Sequence, residues 1–176
     1  GKIGAAVIKN LSGFGCRILA SDIRENPSLK GLCTYVDNET LYKACDIISL
    51  HMPLLESTRH FVNAETIAKM KDGVTIINCA RGELMNIPDM IRGIETQKIG
   101  ALALDVFDKE DGIYHENRRD DILSNRDMAY LRQFPNVIMT QHMAFYTDAA
   151  VQSMVFCGIE GLCDFARTGH TATELV

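Results

Sequence analysis

The sequence lacks the features that mark nucleic-acid-binding and membrane proteins. Its formal charge is -5, and its one local basic pair, Arg118-Arg119, is followed by two aspartates. Nucleic-acid binding needs a clustered basic surface, so this balance argues against such a partner. No run approaches the roughly 18 consecutive apolar residues of a membrane span, and no basic-then-apolar leader opens the chain. We expect a cytoplasmic protein without a membrane partner.

The cysteines lack the spacing of a disulfide scaffold or a zinc site. The six are Cys16, Cys33, Cys45, Cys79, Cys157 and Cys163, with no CxxC pair and no regular framework. Four of them lie within or beside apolar segments. We therefore expect buried thiols in a reducing compartment and no metal, with metal ligation as the alternative.

The composition is that of a globular chain with a substantial core. Hydrophobic residues make up 47% of the 176 residues, and there is neither an internal repeat nor a low-complexity segment. The stretch 108–121 is strongly charged and is predicted to be a surface loop. The chain opens with "GKIG" and has no initiator methionine, so we expect it to begin inside a motif.

Short apolar runs alternate with segments of helical periodicity along the whole chain. Strands are predicted over 16–22, 46–53, 74–79, 100–107 and 136–142, and helices over 2–13, 38–45, 63–73, 88–98, 126–134 and roughly 147–167. Asn63 is the predicted N-cap of the third helix and Gly73 its stop, while Gly13 and Gly15 are predicted to end the first helix. This alternation predicts an α/β fold with a doubly wound parallel sheet.

Polar residues stand at the ends of the predicted strands. They are Asp22, His51, Arg81, Asp105 and His142. Ligands of such sheets bind at the carboxyl ends of the strands, so these residues are candidates for a binding site.

The N-terminus contains part of a dinucleotide-binding motif. "GKIG", residues Gly1, Lys2, Ile3 and Gly4, supplies the last two glycines of a G-x-G-x-x-G turn, whose strand and first glycine would lie upstream. Asp22 falls where a ribose-binding acid is expected, at the end of the second strand. The alternative for Asp22 is a turn-forming role, and Arg24 leaves NADP open as a second cofactor.

Three further residues suit the reduction of a 2-oxo acid. The guanidinium of Arg81 would bind a substrate carboxylate through two parallel hydrogen bonds, although a helix-capping or ion-paired arginine is the alternative. His142 would exchange the proton of the alcohol oxygen. Glu110 would hydrogen-bond the imidazole, favouring its charged form and fixing its tautomer.

The segments "GKIG…SD", "NCARGEL", "LDVFDKE" and "TQHMAFYTD" resemble, in order and spacing, the NAD-dependent D-2-hydroxyacid dehydrogenase family. The resemblance covers essentially the whole chain. It implies a Rossmann-type domain over residues 1–145, with NAD as cofactor, and a catalytic triad. By resemblance, the triad is Arg81, Glu110 and His142. The resemblance also implies that Asp22 is the ribose-binding acid and that Asp105 contacts the nicotinamide carboxamide. Backbone contacts to the cofactor would come from Pro53, Cys79 and Ala80.

Two features resemble the D-lactate and D-2-hydroxyisocaproate dehydrogenase branch, with its vancomycin-resistance relatives, more than the phosphoglycerate branch. They are the long gap between Glu110 and His142 and the "AFYT" that follows the histidine. In that branch the aromatic after the histidine lines the substrate pocket. Phe145 and Tyr146 are therefore candidate substrate contacts, with packing at a helix start as the alternative.

The chain departs from the family pattern at three positions. Gln141 stands where proline is usual, Asn86 replaces an aspartate, and Asp108 takes a position often held by glutamate. None of these changes removes a catalytic group. The loss of the proline before His142 is expected to loosen the strand end that aims the histidine.

The resemblance also implies parts that residues 1–176 do not contain. These are the first strand of the nucleotide-binding domain and most of the substrate-binding domain, toward which the helix and tail of residues 146–176 would pack. We expect a homodimer, as is usual in the family, and little dehydrogenase activity from residues 1–176 alone. The predicted reaction interconverts D-lactate and pyruvate; the alternatives are a non-catalytic NAD-binding sensor or corepressor-like module, and a remnant that no longer binds the cofactor.

Overall fold

A computed structural model describes residues 1–117 and 125–172 of the chain. Two compact units are formed, Gly1–Gln141 and His142–Val176. The predicted division after residue 145 stays a prediction. Part of the predicted charged loop, including Arg118-Arg119, lies outside the described residues.

The first unit alternates short strands with helices, as the sequence pattern predicts. The strands are β1 (Leu19–Ala20), β2 (Thr34–Tyr35), β3 (Ile47–Leu50), β4 (Val74–Asn78), β5 (Ile99–Leu104) and β6 (Val137–Met139). The helices are α1 (Lys2–Leu11), α2 (Asn38–Ala44), α3 (Ala64–Lys69), α4 (Ile87–Glu95) and α5 (Arg126–Leu131). Short 3₁₀ turns at Ser12–Phe14, Pro27–Leu29, Glu56–Thr58 and Gly82–Leu84 complete the connections.

All described strand pairs are parallel, which confirms the predicted α/β architecture. β3, β4, β5 and β6 form one sheet in that order, and β1 and β2 form a second sheet. In a doubly wound sheet of order 3-2-1-4-5-6, the break between β1 and β3 falls at the position of the first strand. Within residues 1–117 and 125–172 no strand occupies this position, and the prediction that the first strand lies outside residues 1–176 stays a prediction.

The larger sheet aligns its carboxyl ends. Asn78 at the end of β4 pairs with Leu50 of β3 and Leu104 of β5, and Leu104 pairs in turn with Met139 of β6. The loops that leave β3, β4, β5 and β6 therefore emerge along the same edge.

Apolar side chains on one face of this sheet form the core. Val74, Ile76, Ile99 and Leu102 are at most 1% exposed, and Met90 of α4 is fully buried against them. Complete burial of such a side chain contributes about 1.5–3 kcal/mol. The core thus holds rigidly the strands that carry the candidate residues.

Several predicted boundaries are wrong by a few residues. Asn63 does cap α3, accepting hydrogen bonds from the Glu65 and Thr66 amides, but the helix ends at Lys69 and not at Gly73. α1 ends at Leu11, and a 3₁₀ turn then stops at Gly15, which has a φ of 72°. The tertiary setting, rather than the nearest glycine, decides where these helices end.

The strand predictions also need correction. The predicted strands 16–22 and 136–142 shorten to β1 and β6, so His142 lies three residues beyond its strand. β2 was not predicted, because two paired residues leave too short a signal to recognise in a sequence.

The prediction of buried cysteines is wrong. Cys16, Cys79, Cys157 and Cys163 are exposed, while Cys33 and Cys45 are only partly buried. Cys157 and Cys163 lie on a helix without buried residues, and Cys45 packs against the core without being fully enclosed by it. All six are free thiols, and no group of three or more His, Cys, Asp or Glu residues suited to a metal occurs within residues 1–117 and 125–172.

The second unit consists mainly of one long helix, α6 (Asp148–Thr168). Thr147 caps it and Gly169 ends it with a φ of 74°. None of its residues is buried, and its exposed apolar side chains are Met154, Val155, Phe156, Ile159, Leu162 and Phe165. By length and composition alone α6 could cross a membrane, but one such helix is weak evidence, and the expected absence of a membrane partner stays a prediction.

Candidate active site

The candidate residues lie just past the carboxyl ends of the strands. His51 follows β3 directly, Asp105 follows β5 directly, and Arg81 comes three residues after the end of β4. Since these strands end in register, the aligned edge of the larger sheet presents all three residues.

The Arg81 loop is held by the side chain of Asn78. Asn78 Oδ1 accepts a hydrogen bond from the Ala80 amide at 3.0 Å, and Asn78 Nδ2 donates one to the Arg81 carbonyl at 2.8 Å. Asn78 is fully buried. The carboxamide thus holds the Cys79–Ala80 and Arg81–Gly82 peptide groups in a tight turn.

The guanidinium of Arg81 is exposed and is held by its own loop. Arg81 Nη1 donates a hydrogen bond to the Ala80 carbonyl at 2.7 Å. Arg81 makes no side-chain cap bond to the 3₁₀ turn that follows it, and no carboxylate pairs with it within residues 1–117 and 125–172. The described contacts therefore do not support the capping or ion-paired alternative, and the guanidinium keeps donors for a bound anion.

Gly82 brings the Arg81 loop against the loop that follows β5. A Cβ at Gly82 would lie 2.1 Å from the Phe107 carbonyl carbon and 2.3 Å from the Asp108 amide nitrogen. Backbone approaches backbone so closely only where there is no side chain. Arg81 and Glu110 are therefore carried by two loops in direct contact.

Glu110 closes a turn after β5. Its Oε2 accepts a hydrogen bond from the Phe107 amide at 2.7 Å, and Lys109 adopts a φ of 60° in between. Tyr114 follows, with its amide bonded to the Glu110 carbonyl at 3.1 Å. Burial, reinforced by the negative charge of Glu110, raises the pKa of Tyr114 to about 12. The Glu110 carboxylate thus lies in a defined turn beside a phenol that stays protonated.

Asp105 is the one charged side chain among the buried residues of the described chain. It is 5% exposed, and its Oδ1 accepts a hydrogen bond from the Thr140 hydroxyl at the end of β6. The Asp105 amide donates to the Asn78 carbonyl at 3.0 Å. Although the Cys79 residue as a whole is exposed, partial burial of its thiol, and then the charge of Asp105, raise the pKa of Cys79, so the thiol stays neutral and is a poor nucleophile.

The N-terminal segment brings together the residues predicted to hold a dinucleotide. The backbone nitrogen of Gly1 lies 2.9 Å from Asp22 Oδ2, and a Cβ at Gly4 would lie 3.5 Å from His51 Cβ. The Arg24 amide donates a hydrogen bond to Asp22 Oδ1 at 3.2 Å. The Asp22 carboxylate therefore lies beside the glycine turn as a hydrogen-bond acceptor.

These residues fit a bound dinucleotide. The first turn of α1 contains no acidic residue and includes Lys2, which leaves the amides of the helix start suited to a diphosphate. Asp22 provides the carboxylate that ribose hydroxyls require. The backbone amide of Arg24, not its guanidinium, contacts Asp22, which gives no support to the NADP alternative.

The remaining predicted cofactor contacts lie in exposed backbone. Pro53 is exposed, and its carbonyl accepts a hydrogen bond from the Thr58 hydroxyl at 2.8 Å. Cys79 is exposed and Ala80 is partly buried in the Arg81 turn. Their assignments to the cofactor stay predictions.

His142 opens the second unit. It has a φ of 53°, a left-handed conformation that histidine adopts more often than most residues. Its ring packs edge-on to Phe145 with centroids 6.5 Å apart, and Phe145 packs edge-on to Tyr146 at 6.1 Å. Phe145 is 39% exposed and Tyr146 is 68% exposed. The roles of these three residues toward substrate stay predictions.

Three residues that organise the site were not predicted from the sequence. Asn78, Gly82 and Thr140 carry no obvious chemistry, but each fixes a loop that does. The available signal was a polar residue ending an apolar strand: "VTIIN" ends in Asn78, and Thr140 follows "NVIM". The role of Gly82 depends on contact with a loop distant in sequence, which no local pattern shows.

A parallel sheet with a glycine turn, a ribose-type acid and polar strand ends is typical of a dinucleotide-binding α/β domain. The family described as D-isomer specific 2-hydroxyacid dehydrogenase, NAD binding domain, matches residues 1–144. The chain belongs to this family, and its cofactor is NAD.

Known relatives cover the whole chain. It is 42% identical to an aromatic 2-oxoacid reductase of Clostridium sporogenes over 177 aligned residues, which are 100% of the chain and 54% of the relative. A D-lactate dehydrogenase structure from Treponema pallidum has a TM-score of 0.94 at 32% identity, covering 100% of this chain and 53% of that one. The D-lactate dehydrogenase of Lactobacillus jensenii, solved with NAD⁺, has a TM-score of 0.89 at 34% identity, with 100% and 53% coverage.

The chain therefore spans about half the length of the curated relatives it matches. The high structural similarity confirms the Rossmann-like fold. The family match over residues 1–144 confirms that the chain belongs to the D-2-hydroxyacid dehydrogenases.

Proposed function

We propose that the protein reversibly reduces a 2-oxo acid to a D-2-hydroxy acid with NADH. The observation that supports this most directly is the Arg81 guanidinium, exposed at the sheet edge, held by the Ala80 carbonyl and carried next to the Glu110 loop. An arginine in this setting suits an anionic substrate with a planar carboxylate.

Each candidate residue has a distinct role in the proposal. Arg81 binds the substrate carboxylate and polarises the neighbouring carbonyl. His142 delivers a proton to the carbonyl oxygen during reduction and removes it during oxidation, and Glu110 stabilises the protonated imidazole. NADH, when bound, supplies the hydride that C2 of the substrate receives. Asp22 binds the adenosine ribose and Asp105 orients the nicotinamide carboxamide.

We propose pyruvate and D-lactate as the preferred pair. D-lactate dehydrogenases recur among the relatives and the similar structures, which supports this choice. The aromatic 2-oxoacid reductase at 42% identity makes phenylpyruvate the main competing substrate. Phe145 and Tyr146 are the residues through which we propose the side chain is selected.

The break between the two sheets supports a further part of the proposal. α1 has no buried residue, and Ile47 of β3 is 62% exposed beside the break. We propose that a strand from outside residues 1–176 fills this position, and that residues 1–176 alone show little activity. Comparing urea unfolding and turnover of residues 1–176 with those of the full-length protein tests this; equal turnover would contradict it.

A homodimer located in the cytoplasm completes the proposal, and family resemblance alone supports these two points. Sedimentation equilibrium of the full-length protein tests the first. A monomer at micromolar concentration would contradict it.

The test of the proposed function is NADH oxidation by the full-length protein with pyruvate, a branched 2-oxo acid and phenylpyruvate, alongside His142→Ala. We expect turnover that the variant loses, a D-configured product, and the highest kcat/KM with pyruvate. NADH binding without turnover on any 2-oxo acid would overturn the proposal in favour of a sensor or corepressor-like module. The absence of NADH binding would indicate a remnant.

A further inference from the structure

The geometry assigns to Asn78 the role of a positioning residue for Arg81. This inference deepens the proposed function and rests on it, because it concerns the arginine that we propose binds the substrate carboxylate. Asn78 itself lies in the last position of β4 and is fully buried. It therefore acts through the loop that it holds.

The Asn78 carboxamide bonds to the two peptide groups that flank the Ala80–Arg81 peptide bond. Its oxygen accepts from the Ala80 amide at 3.0 Å, and its nitrogen donates to the Arg81 carbonyl at 2.8 Å. The carbonyl between these two groups, that of Ala80, accepts the Arg81 guanidinium at 2.7 Å. Asn78 fixes the two peptide groups that flank this carbonyl, and they determine its orientation. The carbonyl in turn determines where the guanidinium lies.

The backbone of Asn78 is fixed in turn by the sheet. The Asn78 carbonyl accepts a hydrogen bond from the Asp105 amide at 3.0 Å. In the sheet Asn78 lies between Leu50 of β3 and Leu104 of β5. A central strand surrounded by a packed core has little freedom to shift. Because Asn78 is held rigidly in the sheet, its carboxamide restrains the exposed Arg81 loop.

Only an asparagine side chain suits this position well. The site requires one acceptor and one donor on a short planar group, and the carboxamide has both. An aspartate has the same shape but has no donor for the Arg81 carbonyl when ionised. An alanine leaves both backbone groups without their side-chain partner.

The chain contains a matched control in Asn63. Its Oδ1 accepts from the Glu65 and Thr66 amides at 3.0 and 3.1 Å, and its Nδ2 donates to the His60 carbonyl at 2.9 Å. Asn63 therefore makes the same kinds of bonds at the start of α3, on a loop without a candidate catalytic residue. A general loss of stability should affect both variants, whereas misplacement of Arg81 should affect one.

The experiment measures steady-state kinetics with pyruvate and NADH for the full-length wild type, Asn78→Ala and Asn63→Ala. Binding of oxamate, an anionic isostere of pyruvate, is measured in the presence of NADH. For Asn78→Ala we expect kcat/KM for pyruvate to fall about 10- to 100-fold, with weaker oxamate binding and an NADH dissociation constant within about twofold of wild type. Asn63→Ala should lower the melting temperature but leave these constants unchanged.

A folded Asn78→Ala variant with wild-type kcat/KM for pyruvate and wild-type oxamate affinity would overturn the inference. So would equal losses of pyruvate and NADH affinity in the two asparagine variants. If Asn78→Ala does not fold, Asn78→Ser replaces it, since serine is too short to bridge both peptides and should shift kcat/KM in the same direction.

A second measurement separates this inference from the proposed function. Relaxation of the Arg81 Nε–Hε group by ¹⁵N NMR reports guanidinium order without any turnover. We expect the group to be ordered in the wild type and in Asn63→Ala, and mobile in Asn78→Ala. Wild-type protein that reduces no 2-oxo acid but shows this pattern would refute the proposed function alone, whereas an unchanged Arg81 order in Asn78→Ala would refute the positioning role.

Discussion

The Thr140 hydroxyl donates a hydrogen bond to the buried carboxylate of Asp105 and thereby joins the ends of β6 and β5. The Thr140 amide also bonds to the Leu104 carbonyl at 2.9 Å, so backbone and side chain both tie the two strand ends together. A carboxylate with 5% exposure is stable only if hydrogen bonds replace water. Thr140 supplies one of these bonds.

Removal of this hydroxyl should weaken cofactor binding. Thr140→Val keeps the shape of the side chain but removes the hydroxyl donor. The lost hydrogen bond to Asp105 contributes about 1–1.5 kcal/mol. We expect the NADH dissociation constant to rise about 5- to 10-fold in a fluorescence titration. Thr140→Ser retains the hydroxyl and should bind NADH as the wild type does; if Ser and Val weaken binding equally, the hydroxyl has no role.

Substitution at Gly82 should destabilise the fold strongly. A Cβ there would meet the Phe107 backbone at 2.1 Å, and neither loop can move without disturbing the sheet end. Overpacking of this kind costs about 1–3 kcal/mol or more, so Gly82→Ala should lower the free energy of unfolding in urea by at least that amount.

The control for this prediction is Gly158 in α6, whose added Cβ would meet nothing within 4 Å. Gly158→Ala should stabilise the helix by about 0.5–1 kcal/mol, since alanine loses less backbone entropy than glycine. A Gly82→Ala variant as stable as the wild type would mean that the two loops do not approach as described.

Stability should fall below pH 6.5 partly because of His51. Burial lowers the pKa of His51 from its ordinary 6.5. The unfolded chain therefore binds a proton at a pH where the folded chain does not, so the stability contributed by neutral His51 is present above pH 6.5 and lost as the pH falls toward the lowered value. Urea unfolding between pH 7.5 and 5 should show a shallower decline for His51→Gln; an identical slope would exclude this contribution.

The sequence was sufficient to predict the elements that have a strong local pattern. β4 shows this best, because the apolar run from Val74 ends at the polar group that begins the Arg81 loop. Asn63 was recognised as a cap for the same reason, since an asparagine with a threonine three residues later is a local signal. Asp22, Asp105 and Arg81 could be selected as candidates because parallel strands place their carboxyl ends together.

The remaining features depend on contacts between distant segments. The Cβ-free contact of Gly82 with Phe107 and the bond between Thr140 and Asp105 join residues 25 and 35 positions apart. The two-residue strand β2 exists only because β1 lies beside it. Cys157 and Cys163 lie on α6, which has no buried residue, and an apolar composition does not predict this exposure.

The proposed function depends above all on the binding of a 2-oxo acid carboxylate by Arg81. The most direct measurement compares kcat/KM for pyruvate in full-length wild type, Arg81→Lys and Arg81→Met, with the NADH dissociation constant measured in each. We predict a fall of roughly a thousandfold for Arg81→Met, from the loss of a charged bidentate contact, a smaller fall for Arg81→Lys, and unchanged NADH binding. Wild-type kcat/KM for pyruvate in Arg81→Met would contradict the account.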